Sequence, residues 1–228
     1  MKQMTQSKLQ FKLFSSVSED DLSSLQEYMY KRTYKKNQLL FSEGDPRDRI
    51  YFLLDGFVKL ERYNQEATML YLDYLKPHDF FPYRGMFTDE YYRFSASALT
   101  DIEVYYIPTT IFEKFILADK SLLYYVAKIL TEIMEQHEQR IEIITTNYVK
   151  DRIELTIAYL MVYYGTPSKE GAIIDIPVTQ LEIAKFSGTS RESVSHIFKE
   201  LKDDQLISQN DNKQLIIHQP DYFIERLR

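Results

Sequence analysis

Apolar positions change their spacing several times along the chain, and each change marks a change of structure. Residues 8–32 keep three- and four-residue spacing (Leu13, Phe14, Leu22, Leu25, Met29), which predicts short lead-in helices, with Ser18 as N-cap ahead of Asp20 and Asp21. From 39 to 107 the texture becomes short apolar or alternating runs at 39–41, 50–54, 57–63, 69–75 and 103–107. Turn-rich pieces separate them: Glu43-Gly44-Asp45-Pro46, Asp55-Gly56 and Lys76-Pro77-His78-Asp79. Asp55-Gly56 between two apolar runs predicts a hairpin, because glycine takes a positive φ without steric cost. Short strands at this spacing argue for a β-barrel or sandwich.

After Pro108 the helical spacing returns, first for about a turn and a half, then from 121 to about 148 without a glycine or proline. In that long helix Val126, Leu130, Ile133, His137, Arg140 and Ile144 repeat at four and three, with Leu123, Ile129 and Ile141 beside them. This is coiled-coil spacing. It fits either a dimer interface or a helix packed on its own barrel. A second compact unit begins near Lys150, where Ile153, Ile157, Leu160 and Met161 give one amphipathic helix that stops before Gly165-Thr166-Pro167. A polar connection then leads to a strand at 173–178.

The next segment carries the chemistry. Thr179-Gln180-Leu181-Glu182 has capping-box spacing, so a helix starts there. Ala184 is small where a second helix must cross closely, and Gly188 can take the left-handed conformation that turns the chain. Thr189 or Ser190 caps the following helix. Val194, Ile197, Phe198 and Leu201 fall on one face of it; Glu192, Ser195, His196 and Lys199 lie opposite, with Arg191 at its N-terminal end. Two readings fit: a helix-turn-helix that enters DNA, or a helical hairpin with solvated polar residues. On the first, Arg191 has the planar fork that binds guanine O6 and N7 together. Glu192 either accepts from a cytosine amino group or complements the helix start. His196 and Lys199 reach base edges or phosphates, while Thr179, Gln180 and Ser190 sit where helix N-termini meet phosphates. Residues 206–208 and 215–218 then suggest a β-hairpin wing tipped by Asn210, Asn212 and Lys213.

Charge complicates that reading. The net charge is −6, and residues 148–228 hold ten Lys plus Arg against twelve Asp plus Glu. DNA affinity rests on cations that neutralise phosphates, so the positive charge must gather on one face. The chain has no cysteine, which excludes disulfides, thiolate-held iron-sulfur clusters and thiol switching. Its start lacks the apolar run of a signal peptide, and no stretch reaches the roughly 18 apolar residues of a membrane span. A cytoplasmic protein of two parts, a sensor and an output, is expected.

The order of these parts, and Ser190-Arg191-Glu192-Ser193-Val194-Ser195-His196-Ile197 in particular, resemble the Crp/Fnr family of bacterial regulators. The resemblance spans nearly the whole chain. It implies an α+β protein with an N-terminal double-stranded β-helix (a jelly-roll, cyclic-nucleotide-binding-like) over residues 1–148, including a dimerisation helix at about 121–148. A winged helix-turn-helix follows over 149–228. It further implies a homodimer on double-stranded DNA with a TGTGA-like inverted repeat, recognition helices in successive major grooves, and RNA polymerase as a partner. Arg191 and Glu192 inherit the base-reading roles. His196 stands where cyclic-AMP receptors have arginine, which is more similar to the Gram-positive arginine deiminase pathway regulators and points to arginine catabolism or anaerobic metabolism.

The sensor departs from the pattern. In cyclic-nucleotide binders the segment matching residues 79–85 carries a Gly-Glu pair, and here those positions read Pro82-Tyr83. Proline removes a donor and tyrosine does not replace the carboxylate, so cyclic AMP is not the expected ligand. Arg93 falls where the family's phosphate-binding arginine lies, although a surface ion pair explains it equally. His137 stands on the long helix near where the family meets the adenine. Tyr83, Arg93 and His137 are therefore the candidate contacts for an unidentified small effector, acting across a hinge at 147–152. Other classes remain to be separated: an enzyme, against which the four scattered histidines and missing catalytic motifs argue, and an effector-binding or interaction module whose DNA-binding domain has degenerated.

Overall fold

The computed structural model describes residues 11–15, 17–66, 69–212 and 214–227. Contacts divide it into two compact units, Met1–Ile133 and Met134–Arg228, so nearly half of the long helix belongs with the C-terminal unit.

The first unit opens with a 3-10 turn, Lys12–Phe14, and α1, Glu19–Gln26. Ser18 caps α1 by accepting from the Asp21 N–H, as its spacing implied. The helical pattern of 8–32 does not run to its end, because β1 occupies Tyr30–Tyr34. Residues 1–10 lie outside the described residues. Then follow β2 (Leu39–Phe41), β3 (Arg49–Asp55), β4 (Val58–Tyr63), β5 (Met69–Leu75), β6 (Phe80–Phe81), β7 (Ser95–Ala98) and β8 (Ile102–Pro108). They form two antiparallel sheets ordered β1-β8-β3-β6 and β2-β7-β4-β5, the jelly-roll arrangement.

This corrects the hairpin at Asp55-Gly56. Gly56 does take φ +78°, and a Cβ there would lie 2.3 Å from the Asp101 carbonyl oxygen. However, β3 pairs with β8 and β6 while β4 pairs with β5 and β7, so the turn carries the chain from one sheet to the other. The continuous run in β3 explains why. Tyr51 and Leu53 face the space between the sheets, with Phe41, Phe81, Tyr92 and Val104. Ile50 and Phe52 face a second cluster with Phe14, Phe112, Leu122 and Val126. A strand buried on both faces reads as unbroken apolar sequence. Aromatic rings fill the first cluster, with Phe41 on Tyr92 at 3.8 Å and Tyr51 on Phe81 at 5.3 Å between centroids.

Two helices leave this unit: α2, Thr109–Ala118, longer than its pattern suggested, and α3, Lys120–Thr145. α3 stops short of 148, at a threonine pair. Thr145 and Thr146 hydroxyls donate back to Ile141 and Glu142 carbonyls, a local bond that competes with helix continuation.

The exposed apolar stripe of α3 is also rotated from the expected one. Val126 is buried with Phe112, and the Arg140 guanidinium lies 4.3 Å from the Phe186 ring centre. Leu123, Leu130, Met134, Ile141 and Ile144 stay exposed, with Ala127 exposed and His137 half-buried among them. These positions keep four- and three-residue spacing throughout. Leu130, His137 and Ile144 are common to both stripes.

In the second unit α4, Val149–Tyr164, is buried nearly all round. Its Glu154, 1% exposed, accepts from Arg226 at 2.7 Å and from the Tyr222 hydroxyl at 3.3 Å, which binds α7 (Pro220–Ile224) and the residues after it to α4. The connection expected to be polar loop is β9, Gly165–Ser168, and its partner β10 covers Gly171–Ile174 rather than 173–178. Next come α5 (Gln180–Ser187), α6 (Arg191–Asp203), β11 (Ile207–Gln209) and β12 (Leu215–Ile217). The sheet order β11-β12-β10-β9 gives the wing.

Candidate nucleic-acid interface

The turn between α5 and α6 is fixed by its sequence at every step. Thr179 caps α5 through a reciprocal box with Glu182, Gly188 takes φ +60° at the C-terminal end, and the Ser190 side chain accepts from the Ser193 N–H to cap α6. Val194, Ile197, Phe198 and Leu201 are buried, so α6 is anchored by one face. The opposite face presents Arg191, Glu192, Ser195, His196 and Lys199 to solvent.

Their environments differ. Arg191, the first residue of α6, makes no hydrogen bond among the described residues, so its fork is open to a ligand. The Glu192 carboxyl is held below the usual range by its own backbone N–H and then by the Ser190 hydroxyl, so it serves the helix start. Of the two caps offered by the sequence, Thr189 and Ser190, it is Ser190 that caps α6 and meets Glu192. His196 Nε2 lies 3.3 Å from Glu200 Oε1, and Glu200 Oε2 accepts from Lys150 at 2.8 Å. This link was missed in the sequence, although Glu200 stands four residues after His196 on one helix face. Ser193 is half-buried, its hydroxyl 3.2 Å from that of Ser190. The Thr179 hydroxyl and N–H both donate to Glu182, leaving Gln180 as the neighbour with a side chain to offer. At the wing tip, Asn210 is spent closing the turn onto Gln214, Asn212 is exposed, and Lys213 lies outside the described residues.

The three candidate effector contacts have different surroundings. Tyr83 is half-buried, edge-on to Phe80 at 5.6 Å, its hydroxyl pushed up by burial and then by Asp79 and Asp73. Arg93 is exposed and doubly bonded to Asp89 at 2.7 and 2.9 Å. Gly85 admits that carboxylate, since a Cβ there would lie 2.3 Å from Asp89 Oδ2. His137 belongs to the second unit. The surface ion pair is thus the arrangement that Arg93 adopts.

Residues 31–119 match a cyclic nucleotide-binding domain model, and residues 156–226 match a Crp-like helix-turn-helix domain model. The chain belongs to the Crp/Fnr family. This is a family of transcription regulators, not of enzymes, and the helix-turn-helix is its DNA-binding domain. Curated Crp/Fnr relatives include the anaerobic regulatory protein of Bacillus subtilis (strain 168), 27% identical over 207 residues, covering 90% of this chain and 87% of that protein. The HTH-type transcriptional regulator ArcR of Staphylococcus epidermidis is 28% identical over 188 residues, 82% of each chain. Among solved Crp/Fnr structures, FixK2 from Bradyrhizobium japonicum aligns with a TM-score of 0.74 at 15% identity, over 86% of this chain and 96% of that one. A mutant of CooA from Carboxydothermus hydrogenoformans gives 0.72 at 16% identity, over 99% and 98%. These likenesses show the Crp/Fnr fold. Among the described residues, no helix is long and apolar enough to cross a membrane.

Proposed function

We propose that this regulator is a cytoplasmic homodimer that reads a TGTGA-like inverted repeat, with Arg191 as its principal base-reading residue. The observation that carries this reading is the α6 surface: one face buried, the other polar, and an exposed arginine, without a hydrogen bond among the described residues, at the end that enters a groove first. Ser195, His196 and Lys199 stand on the same exposed face and supply further base or phosphate contacts; Gln180, Ser190, Ser193 and the N-terminus at Thr179 position the backbone. Glu192 supports Arg191 from the helix start. The exposed heptad stripe of α3 is the surface through which two copies pair.

The name of one relative, the anaerobic regulatory protein, favours control of anaerobic metabolism; arginine catabolism rests on the resemblance at His196, and RNA polymerase at the promoter on the family resemblance. The sensor reads something other than cyclic AMP in the usual mode. Pro82 offers no N–H, Tyr83 no carboxylate, and Arg93 is already engaged by Asp89. An effector that uses Arg93 must compete for it with Asp89.

Gel-shift titration of the full chain on an inverted repeat and on a scrambled duplex tests this. Arg191→Ala is expected to cost about 1–3 kcal/mol on the repeat and to erase the preference over the scrambled sequence. Retained selectivity in that variant removes Arg191 from base reading; equal binding of both duplexes by the unaltered protein favours the degenerate-domain alternative.

A further inference from the structure

Where α3 ends, one side chain spans the carbonyls of two helix ends. Arg152, on the first turn of α4, donates from Nε to the Ser187 carbonyl at 3.1 Å and from Nη1 to the Thr146 carbonyl at 2.9 Å, with that of Asn147 at 3.4 Å. Ser187 is the last residue of α5, and Thr146 follows the last residue of α3. Carbonyls at helix ends lack intrahelical partners, and a cation there is favoured by the helix dipole. A planar guanidinium can serve two such ends at once; an ammonium can reach one but not bridge both in fixed geometry.

The surrounding contacts join the same pieces. The Arg140 guanidinium covers Phe186 of α5, Tyr163 donates to Gln139 at 2.8 Å, and a Cβ on Gly188 would touch Ile144 at 3.7 Å. The segment at 147–152, expected from sequence to act as a hinge, is thus cross-braced within the second unit.

We infer that Arg152 is a positioning residue that fixes the helix-turn-helix against the last turns of α3, and so sets the separation of the two recognition helices. The inference rests on the dimer reading above. One helix-turn-helix alone needs no bracket to bind a half-site, whereas two that bind together must present a fixed spacing.

The test is an anisotropy titration of the full chain and of Arg152→Lys against a single half-site and against inverted repeats whose spacer is lengthened one base pair at a time. Arg152→Gln is the second variant, with the same expectation, should the lysine protein fail to fold. Single-half-site affinity should stay within about twofold, while affinity for the best repeat falls about tenfold, a size typical of coupled sites, and the spacer preference flattens. Parallel losses on both duplexes, or a spacer preference as sharp as before, overturn the inference. If the unaltered protein prefers no repeat over a single half-site, the dimer reading fails and takes this inference with it; a preference that the variant keeps sinks this inference alone.

Discussion

Asp79 shows how little of a side chain's state can be read from its type. In the sequence it belongs to a turn, Lys76-Pro77-His78-Asp79, and it does accept the Lys76 N–H at 2.9 Å. Burial nonetheless outweighs that bond and the nearby Lys76 charge, pushing the carboxyl up to about 6. The unfolded chain releases the same proton near pH 4. Between those values the folded state binds more protons than the unfolded one, so this group's contribution falls as pH rises through the window. Asp79→Asn keeps an acceptor for Lys76 and removes the charge. Its melting temperature should exceed that of the parent at pH 7, and the gain should vanish near pH 4. A lower melting temperature at pH 7 would show that the carboxylate's bonds outweigh its burial. Residues whose role depends on local spacing were legible: Ser18, Thr179, Gly188 and Ser190 all cap or turn as their neighbours dictate. Those whose role depends on distant partners were not. Arg93 is decided by Asp89 and the room at Gly85, and Arg152 by carbonyls on other helices.

At the scale of elements, spacing gave β2 and β5 to the residue and most of β3, β4 and β8. It missed β7, Ser95–Ala98, whose small residues carry no strand signal, and β1, whose first residues fell inside the helical span 8–32. It also assigned Asp55-Gly56 its turn but not its partners, because a turn's φ values do not say which strands pair across a sheet. The long helix is the sharper case. Val126 and Arg140 satisfy its heptad spacing but are each packed within their own units, so the stripe that stays exposed lies one position along. The stripe left exposed places His137 among Leu130, Met134, Ile141 and Ile144. A polar residue at such a position sets register at a cost in stability. His137→Leu should tighten the dimer by about 1 kcal/mol or more through added apolar burial. Sedimentation equilibrium across a dilution series reads this directly; a dimer unchanged or weakened would move the interface off this stripe.

For the whole molecule, the sequence's acidic balance and its DNA-binding fold are reconciled by where charge is engaged. Four acidic groups of the second unit turn inward or pair locally: Glu154 with Arg226, Glu200 with Lys150, and Glu182 and Glu192 with helix starts, whereas Asp203 and Asp204 at the end of α6 are exposed. Arg191 and Lys199 remain presented on α6. A net charge of −6 lowers non-specific attraction to DNA, while the exposed face of α6 keeps Arg191 and Lys199 for the proposed contact. The first unit keeps the family's sheets, fills their interior with packed aromatic rings and pairs Arg93 with Asp89 at the surface. That combination leaves sequence reading as the central claim. Genome-wide mapping of the sites bound by the full chain tests it most directly. The account predicts bound sites that share a two-fold symmetric motif with TGTGA-like arms and that thin out with Arg191→Ala; scattered sites with no common motif would contradict it.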